Sequence, residues 1–176
     1  MSTALIPGSF DPITAGHLDV IRRAAGIFER VVVAVMHNDM TKYVPGATVK
    51  QYLFPPAERE ELVRLACADL PNVEVVTDSG LLIHLFERLG ADVIVKGLRS
   101  ETDYRYEQTH ALWNREHDPR AETLYMPTDP ALAEISSTRV RAELAAGRVP
   151  DELLPPPVAA HIRTVCGERI RQDTKQ

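Results

Sequence analysis

Residues 3–17 read TALIPGSFDPITAGH, and the architecture of the chain is already visible in this stretch. It begins with a short apolar run, passes through a turn containing Gly8 and two prolines, and ends at Gly16 and His17, where amphipathic spacing starts. Short apolar runs bounded by glycine and proline are typical of buried strands. The stretch therefore predicts a strand, a tight loop and the beginning of a helix.

The same alternation continues along the chain. Further β-branched runs predict strands at 31–35, 73–76, 92–95 and 122–125. Helical spacing lies between these strands and after the last of them. It is seen at Leu18, Ile21, Ala25 and Phe28, and it predicts further helices over residues 56–70, 81–89, 101–116, 137–146 and 157 to about 169. Because parallel neighbours need crossover connections, this order predicts an α/β fold, a Rossmann-like doubly wound five-stranded parallel sheet with helices on both faces. We expect residues 1–176 to form one domain.

Composition excludes several classes of protein. The 176 residues carry 20 lysines and arginines against 25 aspartates and glutamates, a net charge of −5, so the broad basic field of a nucleic-acid binder is not expected. No apolar run approaches the roughly 18 residues of a membrane span, and the first residues do not resemble a secretion signal. Two distant cysteines, Cys67 and Cys166, fit idle thiols better than a disulfide framework. We expect a cytoplasmic protein without membrane or nucleic-acid partners.

Candidate ligand-binding residues follow the predicted strands, where open α/β sheets bind their ligands. His17 lies where a helix begins, so the helix dipole favours a neutral imidazole that can donate to an anion; the alternative is that His17 only caps the helix. Lys96 and Arg99 flank Gly97 at the end of the fourth strand. This spacing suits an anion clamp, or two solvated charges.

Two further patches carry polar groups at helix starts. Asp103 and Glu107 lie four residues apart, a pattern more typical of a helix N-terminus than of a site. Ser136, Ser137 and Thr138 precede an evident helix, and their hydroxyls and free amides suit phosphate oxygens, although an ordinary N-cap uses only one hydroxyl.

The remaining aromatic and imidazole side chains receive no catalytic role. We expect Trp113 to serve in packing and not as a platform for a base. His37 lies near the expected mouth of the site, where it could touch a substrate. The other histidines are expected on the surface or on helix faces, and these are His84, His110, His117 and His161.

The run from Gly8 to Pro12, followed by Thr14-Ala15-Gly16-His17, resembles the signature of the nucleotidyltransferase superfamily related to class I aminoacyl-tRNA synthetases. The Thr-x-Gly-His form, together with Asp19, resembles the phosphopantetheine adenylyltransferase family. Three more segments are similar to motifs of that family: KGLR at 96–99, DYRYE at 103–107 and ISST at 135–138. The resemblance implies transfer of AMP from ATP to 4′-phosphopantetheine, which gives dephospho-coenzyme A and pyrophosphate in coenzyme A biosynthesis.

The resemblance also implies roles for single residues, with His17 as the catalytic residue. It implies ATP contacts from Ser9, Phe10, His17, Gly97, Leu98, Arg99, Glu107, Leu132, Ala133, Glu134, Ile135, Ser136, Ser137 and Thr138. It implies contacts with the acceptor substrate from Ser9, Lys42, Leu82 and Lys96. Mg²⁺ is expected to bind mainly through the ATP phosphates, with no metal-ligating residue, and the family is typically a homohexamer.

The segment 38–55 departs from the family pattern, since it contains an insertion of about ten residues by hand alignment. Lys42 is the preferred equivalent of the family's substrate lysine, and Lys50 is the rival. Two other functions stay open. One is another nucleotidyltransferase of this fold, such as a nicotinamide-mononucleotide adenylyltransferase, which residues 137–141 resemble. The other is a non-catalytic nucleotide-binding module.

Overall fold

The computed structural model describes residues 2–37 and 51–166. Its five strands are β1 (Thr3–Gly8), β2 (Arg30–Met36), β3 (Val73–Asp78), β4 (Val93–Leu98) and β5 (Glu122–Pro127). Its α-helices are α1 (Ala15–Ala25), α2 (Pro56–Ala66), α3 (Leu82–Leu89), α4 (Glu101–His117), α5 (Ser137–Ala145) and α6 (Pro156–His161). Short 3-10 turns at Pro130–Leu132 and Asp151–Leu153, and a π-helical turn at Ile162–Cys166, complete the order.

The five strands form one parallel sheet in the order β3-β2-β1-β4-β5. In the register of the sheet, Leu5 pairs with Val32 of β2 on one side and with Ile94 of β4 on the other. The chain winds outward in both directions from β1, so the topological switch point lies between β1 and β4. Ligands of such sheets bind at the carboxyl ends of the strands beside that point.

The strands alternate their side chains between two apolar layers. Ala4 and Ile6 pack on one face, in a cluster that includes buried residues of α1, α2, α5 and α6. Leu5 and Ile94 pack on the other face with Phe86 of α3. The predicted doubly wound fold with helices on both faces is therefore confirmed.

One helix, α2, ends earlier than predicted. The last residue of α2 is Ala66 instead of residue 70, because Cys67 caps the helix and the Leu70 N–H donates to the Cys67 carbonyl (2.9 Å), which turns the chain toward β3. The α6 helix gives way to the π-helical turn after His161; the predicted end near residue 169 lies outside the described residues.

The sequence raises expectations about the two cysteines and about membrane-spanning helices. Cys67 is a free, buried thiol, as expected, and burial raises its pKa to about 11. The side chain of Cys166 lies outside the described residues. Within residues 2–37 and 51–166, no helix combines the length and the apolar character that crossing a bilayer requires.

Candidate active site

A cleft of about 880 Å³ opens at the carboxyl ends of β1 and β4, beside the switch point. Its volume lies in the range of small-molecule sites, roughly 300–1,000 Å³. The loop after β1 and the first residues of α1 form one side, α4 and the end of β4 form another, and the start of α5 closes the third. The cleft is therefore built from the segments that the sequence analysis singled out.

Close packing at two glycines shapes the floor of the cleft. A Cβ at Gly97 would lie 2.9 Å from Cγ2 of Val20, so the absence of a side chain lets α1 pack directly on β4. A Cβ at Gly8 would lie 2.8 Å from the ring of Phe10, which folds back over this position with φ of +46°. The buried Phe10 ring then contacts the His17 ring edge-on, with 5.2 Å between the centroids.

His17 is both a helix cap and a side chain of the cleft. The Thr14 hydroxyl accepts from the His17 N–H (3.3 Å), while Nδ1 of His17 accepts from the Thr14 N–H (3.1 Å), so the two residues form a capping box. Because Nδ1 is an acceptor, the neutral ring carries its proton on Nε2. No residue in the described part of the chain forms a hydrogen bond with Nε2. His17 therefore caps the helix, as one sequence interpretation predicts, and the capping box leaves Nε2–H available as a donor in the cleft.

The imidazole of His17 is held in its neutral form. Burial, and to a lesser extent the positive charge of Arg99, together lower the pKa of His17 to about 4. A neutral ring agrees with the sequence prediction, and burial and the charge of Arg99 account for it. At neutral pH, Nε2–H is a donor that adds no net charge to the cleft.

Asp11 anchors the loop after β1 from inside the protein. Its side chain is 2% exposed, and its two carboxylate oxygens accept from the N–H groups of Leu53 (3.0 Å) and Phe54 (2.9 Å). Nη1 of Arg141 donates to the Asp11 carbonyl (2.7 Å) and lies 3.7 Å from the carboxylate. The loop is therefore fastened both to residues 53–54 and to α5.

Lys96 and Glu107 form an ion pair between β4 and α4 on one side of the cleft, with Nζ 3.1 Å from Oε2. Both side chains are about four-fifths buried, so Lys96 is not the solvated charge that the sequence left open. Arg99, at 41% exposure, pairs with Asp103 (3.1 Å) and donates to the Ile135 carbonyl (3.4 Å). The acidic residues of α4 therefore hold the two cations at the end of β4, which is more than a helix-start preference.

The start of α5 combines a cap with hydroxyl groups that face the cleft. Ser136 is the N-cap and accepts from the Arg139 N–H (3.2 Å). Ser137 donates to the Pro12 carbonyl (2.9 Å), and Thr138 accepts from Nη2 of Arg141 (3.1 Å). The first amides of a helix have no partner within it and attract anions, so this turn can bind phosphate oxygens.

The structure brings most of the sequence-predicted residues to this one cleft. Those that line it are Ser9, Phe10, His17, Leu82, Lys96, Gly97, Arg99, Glu107, Ile135, Ser136, Ser137 and Thr138. Four others flank the cleft in the chain but do not line it: Leu98, Leu132, Ala133 and Glu134. The rival lysines Lys42 and Lys50 lie outside the described residues.

Sequence reasoning missed part of the α4 side. Tyr106, His110 and Trp113 all line the cleft. Trp113 is 39% exposed and stacks on His117 (3.8 Å between centroids), so it packs on its own helix at the edge of the cleft. These residues recur at 106, 110, 113 and 117, the spacing of one helical face, which was an available signal.

The comparisons with known proteins agree with this geometry. A family model described as cytidylyltransferase-like matches residues 5–143. A crystal structure reported as a nicotinate-nucleotide adenylyltransferase from Vibrio parahaemolyticus has a TM-score of 0.66 at 20% identity and covers 93% of this chain and 100% of that chain, which shows the shared fold.

Relatives named phosphopantetheine adenylyltransferase match nearly end to end. The protein from Heliobacterium modesticaldum is 40% identical over 171 residues, which are 97% of this chain and 96% of the relative. The protein from Synechococcus sp. is 43% identical over 160 residues, which are 91% and 95%. The chain therefore belongs to the phosphopantetheine adenylyltransferase family of cytidylyltransferase-like proteins.

Proposed function

We propose that this protein transfers the AMP group of ATP to 4′-phosphopantetheine and releases dephospho-coenzyme A and pyrophosphate. The observation that carries the proposal is a neutral imidazole with a proton on Nε2, in a cleft that also holds Lys96 and Arg99. The near full-length similarity to phosphopantetheine adenylyltransferases supports the choice of acceptor.

The reaction is an in-line displacement at phosphorus. An oxygen of the acceptor phosphate forms a bond to the α-phosphorus while the bond to the bridging oxygen of the β-phosphate breaks, and that electron pair leaves with pyrophosphate. A phosphate monoester is already ionised near neutral pH, so no protein base or nucleophile is needed. The protein contributes by positioning the reactants and stabilising charge.

His17 would donate from Nε2 to a non-bridging oxygen of the α-phosphate. The capping box fixes the other ring nitrogen, so the donor direction is set before any ligand binds. A preorganised donor of this kind stabilises charge that develops in the transition state. Because the ring is neutral at the working pH, its proton stays on Nε2 throughout the transfer.

Lys96 and Ser9 would orient the acceptor phosphate, with Lys42 as the preferred further lysine and Lys50 as its rival. Lys96 starts out paired with Glu107, so an incoming phosphate must share that ammonium group. Leu82 lines the cleft and would contact the pantetheine arm.

ATP would lie against Arg99, Glu107 and the turn from Ser136 to Thr138, as the family resemblance implies. Free amides at the start of α5 suit its phosphates, and Arg99 supplies a planar cation beside them. The further ATP contacts that the resemblance implies at Leu98 and at 132–134 come from residues that do not line the cleft.

Mg²⁺ would neutralise the ATP polyphosphate. The carboxylates lining the cleft are already engaged, Asp11 with two amides, Asp103 with Arg99 and Glu107 with Lys96. Across residues 2–37 and 51–166, no group of three histidine, cysteine or acidic side chains could hold a metal ion. With its carboxylates already paired, the cleft suits an ion that is coordinated mainly by phosphate oxygens and water, which is how Mg²⁺ usually binds in nucleotide sites.

A homo-oligomer, a hexamer by family resemblance, and a cytoplasmic location complete the proposal. Apolar side chains on α4 and on the edge strand β5 support an assembly surface: Tyr106 is 65% exposed, Leu112 59% and Leu124 47%. The use of ATP supports the cytoplasm.

The experiment is a pyrophosphate-release assay with ATP, Mg²⁺ and one of two acceptors. We expect turnover with 4′-phosphopantetheine and none above background with nicotinamide mononucleotide. Turnover only with the second acceptor would replace the proposed substrate. Tight ATP binding with no pyrophosphate from either acceptor would instead indicate a non-catalytic nucleotide-binding module.

A further inference from the structure

Arg59 is a fully buried cation on the apolar face of α2, away from the lining of the cleft. Its exposure is 0%, although arginine is almost never fully buried without partners. Burial lowers the pKa of its guanidinium, and the nearby charge of Asp11 opposes that effect. The guanidinium lies over the Tyr52 ring, 4.1 Å from its centroid. Burying a charge is costly, so its contacts need an explanation.

The guanidinium joins two neighbouring strands where they reach the cleft. Nη1 of Arg59 donates to the carbonyl of Ser9 (2.5 Å), just after β1, and to the carbonyl of Met36 (3.0 Å), the last residue of β2. A single nitrogen therefore links the first loop to the end of β2, just beyond the last strand pair, Gly8 with Val35. Both Ser9 and Met36 line the cleft.

A second link closes these contacts into a ring. Nε of Arg59 donates to the Phe54 carbonyl (3.1 Å), and the Phe54 N–H donates to the Asp11 carboxylate (2.9 Å). Asp11 lies two residues after Ser9, so the connections run from Ser9 through Arg59 and Phe54 back to the same loop. Arg59 therefore links the loop that carries Ser9 and leads to His17 to β2 and to Phe54, while Arg141 fastens the same loop to α5.

We propose that Arg59 is a positioning residue for the transfer step, which sets the loop of Ser9 and His17 against the end of β2. This inference rests on the proposed function, because it assigns Ser9 to the acceptor and His17 to the α-phosphate. The planar fork of arginine supplies three hydrogen bonds in fixed directions, whereas a lysine ammonium has no such geometry. Loss of the fork moves the loop without removing any group that touches a ligand.

The test compares Arg59→Lys with Arg64→Lys. Arg64 lies on the same helix and also donates to a strand carbonyl, that of Val75 (2.7 Å). Unlike Ser9 and Met36, which Arg59 contacts, Val75 does not line the cleft, and Arg64 does not line it either. For Arg59→Lys we expect kcat to fall by about 10- to 100-fold while KM for each substrate changes less than about threefold, since small misplacements of reacting groups cost rate. For Arg64→Lys we expect kcat within about twofold of the parent.

Two results would overturn the inference. One is a kcat of Arg59→Lys that falls no further than the kcat of Arg64→Lys. The other is a raised KM of Arg59→Lys with unchanged kcat. If Arg59→Lys does not fold, Tyr52→Leu removes the ring under the guanidinium and should lower kcat by about two- to fivefold at unchanged KM; an unchanged kcat would then contradict the role.

A readout without substrate separates this inference from the proposed function. Amide hydrogen exchange in a peptide covering residues 8–11 should accelerate in Arg59→Lys and not in Arg64→Lys. If the parent protein fails with 4′-phosphopantetheine but this exchange difference appears, the substrate assignment is wrong and the positioning contact stands. If exchange at residues 8–11 is equal in the two variants, the positioning role is wrong.

Discussion

The two long sides of the cleft are built differently. We define the loop wall as residues 8–17 with the start of α5, and the helix wall as the end of β4 with α4. In the loop wall, Asp11 is 2% exposed and Thr14 1%, and backbone groups are tied to buried side chains. In α4, which lies wholly within the described residues, Asn114 alone of 17 residues is buried.

The two walls differ in how firmly they hold the groups that would bind phosphate. Groups in the loop wall keep their geometry before a ligand arrives, which is the condition for stabilising a transition state. The cations of the helix wall, Lys96 and Arg99, are paired with carboxylates that also line the cleft, Glu107 and Asp103, so an incoming phosphate can compete with those carboxylates. We therefore expect loop-wall changes to alter kcat and helix-wall changes to alter KM.

The largest effect is expected at His17. His17→Ala should lower kcat by about 10²–10³, because it removes a preorganised donor. The measurement is steady-state pyrophosphate release at saturating substrates.

His17→Gln is the control for the helix cap. Glutamine at this position completes a capping box, so thermal unfolding should show most of the parent stability, whereas His17→Ala loses about 0.5–1 kcal/mol. Both variants should lose turnover. Turnover in His17→Gln within about tenfold of the parent would assign the residue to capping alone.

The next effect is expected at Arg99. Arg99→Met should raise KM for ATP by about 10- to 100-fold with a smaller change in kcat, since a hydrogen bond to a charged group contributes about 1.5–3 kcal/mol. Arg105→Met is the matched change on the same helix wall, because Arg105 pairs with Glu101 in solvent at 77% exposure. Equal ATP kinetics in the two variants would contradict the assignment of Arg99.

Lys96 should show a smaller effect, on the acceptor. Lys96→Met should raise KM for 4′-phosphopantetheine by about tenfold, because it removes a cation that lines the cleft beside the expected acceptor phosphate. A double-mutant cycle with Glu107→Gln measures the coupling of the pair in thermal unfolding. A coupling of several kcal/mol would show that the helix wall is as fixed as the loop wall.

The smallest effect concerns pH. The pKa of His17 is about 4 in the folded protein and 6.5 ordinarily, so the unfolded chain binds the extra proton first as pH falls. Stability from this group is full above pH 6.5 and is lost as pH falls toward 4. Between pH 7 and 5.5 the parent should lose about 1 kcal/mol more than His17→Gln. Parallel pH curves from chemical denaturation would contradict the neutral ring.

The fold and one half of the site could be predicted from local sequence. Valine-rich runs such as 31–35 favour strands regardless of context, and His17 was singled out because it follows Gly16 at the point where amphipathic spacing begins. Residues at the ends of neighbouring parallel strands meet by geometry, which is why Lys96 was expected near His17, whereas the role of Ser9 came from the family resemblance.

What could not be predicted depends on contacts between distant residues. Arg59 touches the Ser9 carbonyl across 50 positions of sequence, and no local pattern gives that partner. Its spacing did carry a signal, because Arg59, Leu62, Val63 and Ala66 fall on one buried helical face. Charged residues on such a face are seldom solvated. Which nitrogen of His17 carries the proton was also invisible, since it follows from the Thr14 N–H.

The most direct measurement is a crystal structure with 4′-phosphopantetheine and an ATP analogue whose bridge between the α- and β-phosphates cannot be cleaved. The account predicts Nε2 of His17 within about 3.2 Å of a non-bridging α-phosphate oxygen. It also predicts that the acceptor phosphate stands in line with the bond to the β-phosphate. An α-phosphate bound out of reach of that nitrogen, with the capping box intact, would contradict it.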